Sequence, residues 1–280
     1  MSSPKKSLVV IPSRLASTRL PAKALKDIAG KPLVQRCYEK AKEAKLVTKV
    51  VVATDAQEIA DQVKSFGGEV VMTGAELTCG SQRVFQAASY LSGYYGTDPD
   101  EALKAINETW DLVINFQGDM PFMSGKIVDE TIAFYQKNKG TYSLVTIAVP
   151  IFTEEEFNAP KNCKVVVSAR GEGLYFSRAP IPFDRDGDGQ PVWAGAAETK
   201  VYGFQHIGLY LYTPTTLRLY ATTELSRLES IEKLEQLRVL EAGERIGVVI
   251  VDPRYKDSFA DINEEEDLLL ANKLAKEKQL

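Results

Sequence analysis

Three cations crowd one short segment of this chain. Arg14, Arg19 and Lys23 are spaced by the small residues Ser13, Ala16, Ser17 and Thr18 within Pro12-Ser13-Arg14-Leu15-Ala16-Ser17-Thr18-Arg19-Leu20-Pro21-Ala22-Lys23. The segment follows Leu8-Val9-Val10-Ile11, an apolar run that reads as a buried strand. In open α/β sheets, ligands sit beyond the carboxyl ends of strands. Guanidinium forks and an ammonium on a small-residue loop at such a place suit a polyphosphate. The bland alternative is a solvated basic loop, and abutting a buried strand argues against it. An acidic counterpart closes another apolar run, 111–116, at Gln117-Gly118-Asp119-Met120-Pro121. Gly118 permits an unusual backbone path and Pro121 stiffens the exit. A carboxylate beside a polyphosphate is the usual magnesium arrangement, one or two acids plus phosphate oxygens and waters. Asp119 otherwise reads as a turn cap. Asp261-Ile262-Asn263 supplies a second acidic group before the last predicted helix. Asp261 as a second metal ligand and Asn263 as a plain helix cap are both left open by the residues.

Alternating strands and helices must position these groups. Apolar spacing predicts a helix over 33–44, a strand over 50–55, and a helix over 57–66 closed by Gly67-Gly68. A strand over 69–73, a helix over 81–91 and a strand over 111–116 follow. Strands separated by helices of this length imply βαβ units and a parallel sheet. Longer strand-like runs at 142–149, 163–168 and 201–212 suggest an antiparallel extension built onto that core. An amphipathic helix over 229–242, a strand over 247–251 and a helix over 264–280 complete the chain. Residues 93–109 read as a polar, irregular surface insertion.

Composition removes several classes of function. The 280 residues are 44% hydrophobic and 26% charged, with a net charge of -4, so general nucleic-acid binding has no electrostatic support. A basic loop on an acidic protein suits a small anion better than a polymer. No run approaches the roughly 18 apolar residues of a membrane span, and the polar start lacks a signal-peptide core. Cys37, Cys79 and Cys163 have no paired spacing, which fits a reducing cytoplasm and offers no zinc motif. His206 is the sole histidine, and no G-x-S-x-G accompanies it, which makes a Ser-His-Asp hydrolase implausible. Gly30-Lys31-Pro32 fails as a Walker motif, and no G-x-G-x-x-G follows a strand. Asp184-x-Asp186-x-Asp188-Gly189 begins like a calcium loop, but Gly195 stands where a bidentate carboxylate is needed. A polar turn is the better reading.

Pro12-Ser13-Arg14-x-x-Ser17-Thr18-Arg19-Leu20-Pro21-x-Lys23 resembles the nucleotide loop of the sugar-acid cytidylyltransferases, and within them the 3-deoxy-manno-octulosonate cytidylyltransferase (CMP-Kdo synthetase) family. Further segments fall in that family's order: Val52-Ala53-Thr54-Asp55, Val71-Met72-Thr73, Gly80-Ser81-Gln82-Arg83, Gln117-Gly118-Asp119-x-Pro121 and Leu174-Tyr175-Phe176-Ser177-Arg178-Ala179-x-Ile181-Pro182. His206-Ile207-Gly208-Leu209-Tyr210 and Glu232-Lys233-Leu234-Glu235-Gln236-Leu237-Arg238 continue the series, so the resemblance spans nearly the whole chain.

The resemblance implies one cytidylyltransferase domain over 1–280, Rossmann-like, with a mostly parallel sheet, flanking helices and an antiparallel dimerisation extension. The nucleotide-binding core would be mainly 1–135 and 229–280, and a sugar-binding and dimerisation lobe about 140–228. The anomeric hydroxyl of an eight-carbon acid sugar, Kdo or 8-amino-Kdo, would attack the α-phosphate of CTP, releasing pyrophosphate and giving a CMP-sugar for lipopolysaccharide synthesis. Magnesium (Mg2+) and a cytoplasmic homodimer are part of that expectation. Arg14, Arg19 and Lys23 would hold the triphosphate, with Pro12, Ser13, Ser17, Thr18 and Gln117 along the same loop and strand end. Thr73, Ser81 and Arg83 would sit near cytosine and ribose. Asp119 would hold the metal, with Asp261 second. Gln117, Arg178, His206, Tyr210, Glu232 and Gln236 would face the sugar. A lone strand histidine is otherwise a satisfied core residue.

The sequence departs from the family pattern at informative positions. Gln82 and Met120 replace usual acids, Gln205 replaces a usual base before His206, and Asn263 stands at the usual metal-binding Asp. A neutral amide at 205 cannot pair with a substrate carboxylate as a cation does, which leaves the sugar open. An amino-substituted octulosonate and a sialic-acid-like nonulosonate are the enzyme alternatives. A non-catalytic nucleotide-binding paralogue is the other class.

Overall fold

Apolar β-branched runs put strands at β1 (Ser7–Ser13), β4 (Lys49–Thr54), β5 (Val70–Met72), β6 (Leu112–Asn115) and β7 (Leu144–Ile151). Two short strands, β2 (Asp27–Ile28) and β3 (Lys31–Pro32), pair only with each other. The chain continues through β8 (Lys164–Val167), β9 (Gly173–Ser177), β10 (Gly203–Tyr212) and β11 (Ile246–Ile250). The structure, a computed structural model, describes residues 6–15, 19–185 and 201–277. Ser17, Thr18 and the Asp186–Gly195 part of the calcium-like turn lie outside the described residues.

Among the described residues, nine strands form one sheet in the order β11-β7-β10-β6-β1-β4-β5, with β8 on β10 and β9 on β8. β1 pairs in parallel with β4 and β6, β4 with β5, and β11 with β7. β10 is antiparallel to β6, β7 and β8. The sheet is therefore mostly parallel, with β10, β8 and β9 as the antiparallel extension. Within the 140–228 segment, β7 and β10 lie in the same sheet as β1, β4 and β6, and β8 and β9 extend it from β10.

Successive strand side chains point to opposite faces, and both faces are covered. Val9, Ile11, Val50 and Val52 pack with Leu33, Ile59, Ile127 and Ala271 from helices Leu33–Lys42, Gln57–Ser65, Gly125–Lys137 and Glu265–Glu277. Leu8, Val10, Val51 and Ala53 pack with Val84, Ala102, Leu217 and Leu237 from helices Gly80–Leu91, Pro99–Thr109, Pro214–Thr222 and Leu237–Glu241.

Two sequence expectations are corrected. Residues 93–109 are not irregular throughout, since Pro99–Thr109 is a helix. Asp98 accepts hydrogen bonds from the amides of Asp100 and Glu101, and Pro99 occupies the first turn, a strong start signal. Ala102 and Ile106, one turn apart, bury its apolar side. Residues 229–242 are not one helix but two, Arg227–Glu232 and Leu237–Glu241. Lys233 ends the first at φ 56°, in the left-handed region. The break lets Ile231 stay exposed while Leu234 and Leu237 reach the core.

Candidate active site

Parallel pairing brings the carboxyl ends of β1, β4, β5 and β6 to one edge. β4 and β6 flank β1 on opposite sides, which makes the gap between β1 and β6 a topological switch point. A cavity of about 310 Å3 opens there. Its lining includes Pro12, Ser13, Arg14, Arg19, Lys23, Gln117 and Asp119, all singled out in the sequence. The positive turn and Asp119 thus share one cleft, although 96 residues separate Lys23 from Asp119.

Contacts inside the cleft are specific. Lys23 Nζ lies 2.9 Å from Asp119 Oδ2, both side chains partly buried. Lys23 also donates to Asn263 Oδ1 at 3.3 Å, and Arg19 donates to the same oxygen at 3.1 Å. Gly118 is required by close approach, because a Cβ there would lie 2.7 Å from the Pro12 carbonyl oxygen and 3.0 Å from Ser13 Oγ. The turn that presents Asp119 can therefore lie flush against the end of β1. Ser13 Oγ is buried at this wall with no hydrogen-bond partner among the described residues.

Asn263 is not a helix cap. The amides of Asn263 and Glu264 both donate to Asp267 Oδ2, at 2.9 and 2.8 Å, which satisfies the start of helix Glu265–Glu277. The Asn263 side chain instead bridges the cations and Asp261, to which its Nδ2 donates. Desolvation and the neighbouring charge of Asp119 hold the Asp261 carboxyl above its usual range. Asp119, Asp261 and the Asn263 amide oxygen make an all-oxygen donor set beside the positive turn. That set fits a magnesium ion, which takes one or two carboxylates and fills its remaining positions from phosphate and water. Among the described residues no group of three or more His, Cys, Asp or Glu side chains could hold a metal by itself.

The base and ribose candidates divide. Arg83 lines the cleft but is nearly inaccessible, bound to Asp55 Oδ2 at 2.9 Å and to Thr73 Oγ1 at 2.5 Å. It locks helix Gly80–Leu91 to the ends of β4 and β5. Asp55 was legible as the polar close of a strand and as part of a family-like segment, with no role attached to it. Ser81 turns inward, where its hydroxyl meets Tyr212 Oη at 2.7 Å and donates to Glu235 Oε2 at 3.0 Å. Leu77, Thr78 and Cys79 also line the cleft. No sequence signal marks that loop, whose chemistry is apolar or weakly polar.

Of the sugar candidates, Gln117 stands in the cleft and packs near Gly208, whose Cβ position lies 3.4 Å from Gln117 Cγ. His206, Tyr210 and Gln236 form a buried layer on and beside β10. His206 Nε2 meets Thr146 Oγ1 at 2.8 Å, and Tyr210 donates to Gln236 Oε1 at 3.2 Å. Burial pushes His206 down to about 3, so its imidazole is neutral near pH 7 and serves as no general acid there. Arg178 and Glu232 form a separate pair. Glu232 accepts from the Arg178 amide at 3.0 Å and from Ser177 Oγ at 2.5 Å, while Arg178 Nε donates to the Glu232 carbonyl at 2.9 Å.

The cytidylyltransferase family profile matches residues 8–246. The chain belongs to the cytidylyltransferase family. It is 40% identical over 242 residues to an 8-amino-3,8-dideoxy-manno-octulosonate cytidylyltransferase of Shewanella piezotolerans, covering 86% of this chain and 89% of that protein. It is 41% identical over 241 residues to a 3-deoxy-manno-octulosonate cytidylyltransferase of Saccharophagus degradans, covering 86% of this chain and 88% of that one. A CMP:2-keto-3-deoxy-manno-octonic acid synthetase solved with CTP superposes with a TM-score of 0.80 at 29% identity, over 98% of this chain and 100% of that one. This cytidylyltransferase has no helix, among the described residues, long and apolar enough to cross a membrane.

Glu235 gives the cytidylyltransferase a measurable pH dependence. Burial raises its carboxyl from 4.5 to about 7, against the opposing hydrogen bond from Ser81. The folded chain therefore holds a proton between these values that the unfolded chain releases, and stability falls as pH rises through that window. Above about pH 7 the loss is complete. Glu235→Gln carries no such penalty. Its thermal midpoint is expected to exceed the wild type's at pH 8 and to converge with it near pH 4.5. Equal midpoints at both pH values would show that Glu235 titrates normally.

Proposed function

We propose that this cytidylyltransferase activates a 3-deoxy-octulosonate-type acid sugar, Kdo or its 8-amino form, with CTP. The products are the CMP-sugar and pyrophosphate. The observation that carries the reading is the convergence of Arg14, Arg19, Lys23 and Asp119 on one cleft at the sheet's switch point. The similarity to relatives named for Kdo and for 8-amino-Kdo supports the sugar class. One chain holds both halves, since β7 and β10 share the sheet that carries the nucleotide cleft.

Nucleotidyl transfer depends on positioning and charge neutralisation more than on a strong base. In this reading Arg14, Arg19 and Lys23 bind the triphosphate, and Pro12, Ser13 and Gln117 shape its seat. Ser17 and Thr18 belong to the same turn by sequence. The cations offset the charge that builds on the departing pyrophosphate. Lys23 exchanges Asp119 for phosphate oxygens when CTP enters. Asp119 and Asp261 would hold magnesium, which when bound polarises the α-phosphate and lowers the pKa of the attacking hydroxyl. Arg83 and Thr73 fix the nucleoside side of the cleft, and Ser81 anchors the helix behind it. The sugar acid occupies the Gln117 end, backed by His206, Tyr210 and Gln236, with Arg178 and Glu232 as its outer boundary. The hydroxyl of the sugar attacks phosphorus, the bond to pyrophosphate breaks, and the hydroxyl proton passes to solvent.

Gln205 is neutral where a cation would pair with the substrate carboxylate, so both Kdo and its 8-amino form are carried into the test. Exposed Leu174 and Ile231, on residues near the outer sugar boundary, support a homodimer. The sequence expectation of a reducing, cytoplasmic setting is retained in this proposal. Pyrophosphate release is to be measured with CTP and each of Kdo, 8-amino-Kdo and a nonulosonate. Turnover with an octulosonate and none with the nonulosonate is expected. Preference for the nonulosonate would replace the sugar assignment, and CTP binding without turnover on any sugar would favour the non-catalytic paralogue.

Arg19 offers a test of the triphosphate seat. Its side chain is 62% exposed and its contact to Glu264 is long, at 3.9 Å, so it contributes little to stability. Arg19→Ala is expected to raise the KM for CTP by about tenfold or more, for loss of charge-assisted phosphate bonds. The thermal midpoint should stay unchanged without nucleotide. Unaltered CTP affinity would remove Arg19 from the site.

A further inference from the structure

Residues 74–79 belong to no strand or helix, and the end of this loop, residues 77–79, walls one side of the nucleotide cleft. Leu77 and Thr78 line the cleft. Leu77 also lines a second cavity, of about 250 Å3, together with Gln82 and Gln86. Leu77, at the start of the loop's second half, therefore sits between two cavities. A segment with a cavity on either side lacks the apolar packing that orders a core element.

Two side chains supply the missing order. Gln82 Oε1 accepts from the Thr78 amide and from Thr78 Oγ1, both at 2.9 Å. Gln86 Oε1 accepts from the Gly74 amide at 2.7 Å. Four residues apart on helix Gly80–Leu91, the glutamines lie on one helix face and grip both ends of the loop. Arg83, between them in sequence, anchors the same helix to Asp55 and Thr73. The helix is thus a rigid post and the loop hangs from it by three acceptor bonds.

We propose that Gln82 and Gln86 are positioning residues that hold the 74–79 wall in its nucleotide-ready conformation and so set the affinity for CTP. Neither group touches a reacting atom. A wall ordered before binding spares the nucleotide the entropic cost of ordering it. A wall that samples other conformations weakens apparent affinity by the fraction of time it is competent. The requirement is for an acceptor oxygen at the end of a four-atom side chain. The identity of the nucleotide rests on the function proposed above, but the clamp itself does not.

The test compares Gln82→Met, Gln86→Met and Gln82→Glu with wild type. Methionine keeps the length and removes the acceptor, while glutamate keeps an acceptor oxygen. Amide hydrogen exchange without nucleotide is read at Gly74 and Thr78, and KM and kcat for CTP are read from pyrophosphate release. Gln82→Met is expected to lose protection at Thr78, and Gln86→Met at Gly74. Each methionine variant should raise KM about fivefold to tenfold, as ordinary hydrogen bonds allow, with kcat within about twofold. Gln82→Glu should match wild type in both readouts. Retained protection in the methionine variants, or lost protection with an unchanged KM, overturns the proposal. A fall in kcat at constant KM overturns it as well. A wild-type chain inert toward CTP would sink the function reading alone, and exchange would still decide whether the glutamines hold the wall.

Discussion

Asp119→Asn is expected to lower pyrophosphate release from CTP by about a thousandfold, the upper range for removing one preorganised electrostatic group. Asparagine keeps the shape of the side chain on the tight Gly118 turn and removes only the charge. Lys23 then loses its 2.9 Å partner, and the oxygen set that fits magnesium loses its central carboxylate. The fold should survive, because the Lys23–Asp119 pair is partly solvated and worth about 1 kcal/mol or less. The thermal midpoint is expected to move by no more than a few degrees. Removing the charge also relieves Asp261, whose carboxyl is raised by Asp119. Pyrophosphate release near the wild-type rate would refute the metal and phosphate role of Asp119.

Glu229→Ala is expected to be the most destabilising single change near the site. Arg238 and Glu229 are 5% and 5% exposed, and the guanidinium meets the carboxylate at two points, 2.6 and 2.8 Å. Arg238 also donates to the Thr223 carbonyl at 3.2 Å and lies over the Tyr220 ring. Deleting the carboxylate leaves a buried guanidinium without its counter-ion, at a cost of about 3–5 kcal/mol. A midpoint lower by about 10 °C follows for a domain of this size. The first of the two helices joined by this pair ends at Glu232, and Glu235 and Gln236 lie on the link between them, so the proposed sugar end should loosen before the proposed nucleotide end. A thermal scan checks the first expectation, and KM for the sugar against KM for CTP checks the second. A midpoint unchanged by Glu229→Ala would mean that the pair is solvated.

Much of the architecture was legible because burial writes itself into sequence as periodicity. Leu8-Val9-Val10-Ile11 and Val50-Val51-Val52-Ala53 are apolar at every position because both faces of a parallel sheet are covered. The errors arose where local chemistry competes with that pattern. In residues 93–109 the polar surface of an exposed helix masked Ala102 and Ile106, although Asp98-Pro99 marked its start. In residues 229–242 the apolar spacing suited one helix, but Lys233 adopts a left-handed conformation that two packed segments impose.

The sequence by itself determined the chemistry on offer: three cations on a small-residue turn, a carboxylate behind a glycine, and a single histidine with no nucleophile elbow to build a hydrolase. It also determined the alternation of strands and helices, since amphipathic spacing is a local property. Only the tertiary structure decided which of those groups meet. Parallel pairing of β1 with β6 delivered Asp119 to Lys23, and the last helix brought Asn263 to both cations. It also turned Ser81 and His206 inward and hung the 74–79 wall from Gln82 and Gln86. Strand order and side-chain direction depend on contacts between distant segments, which one-dimensional spacing does not encode.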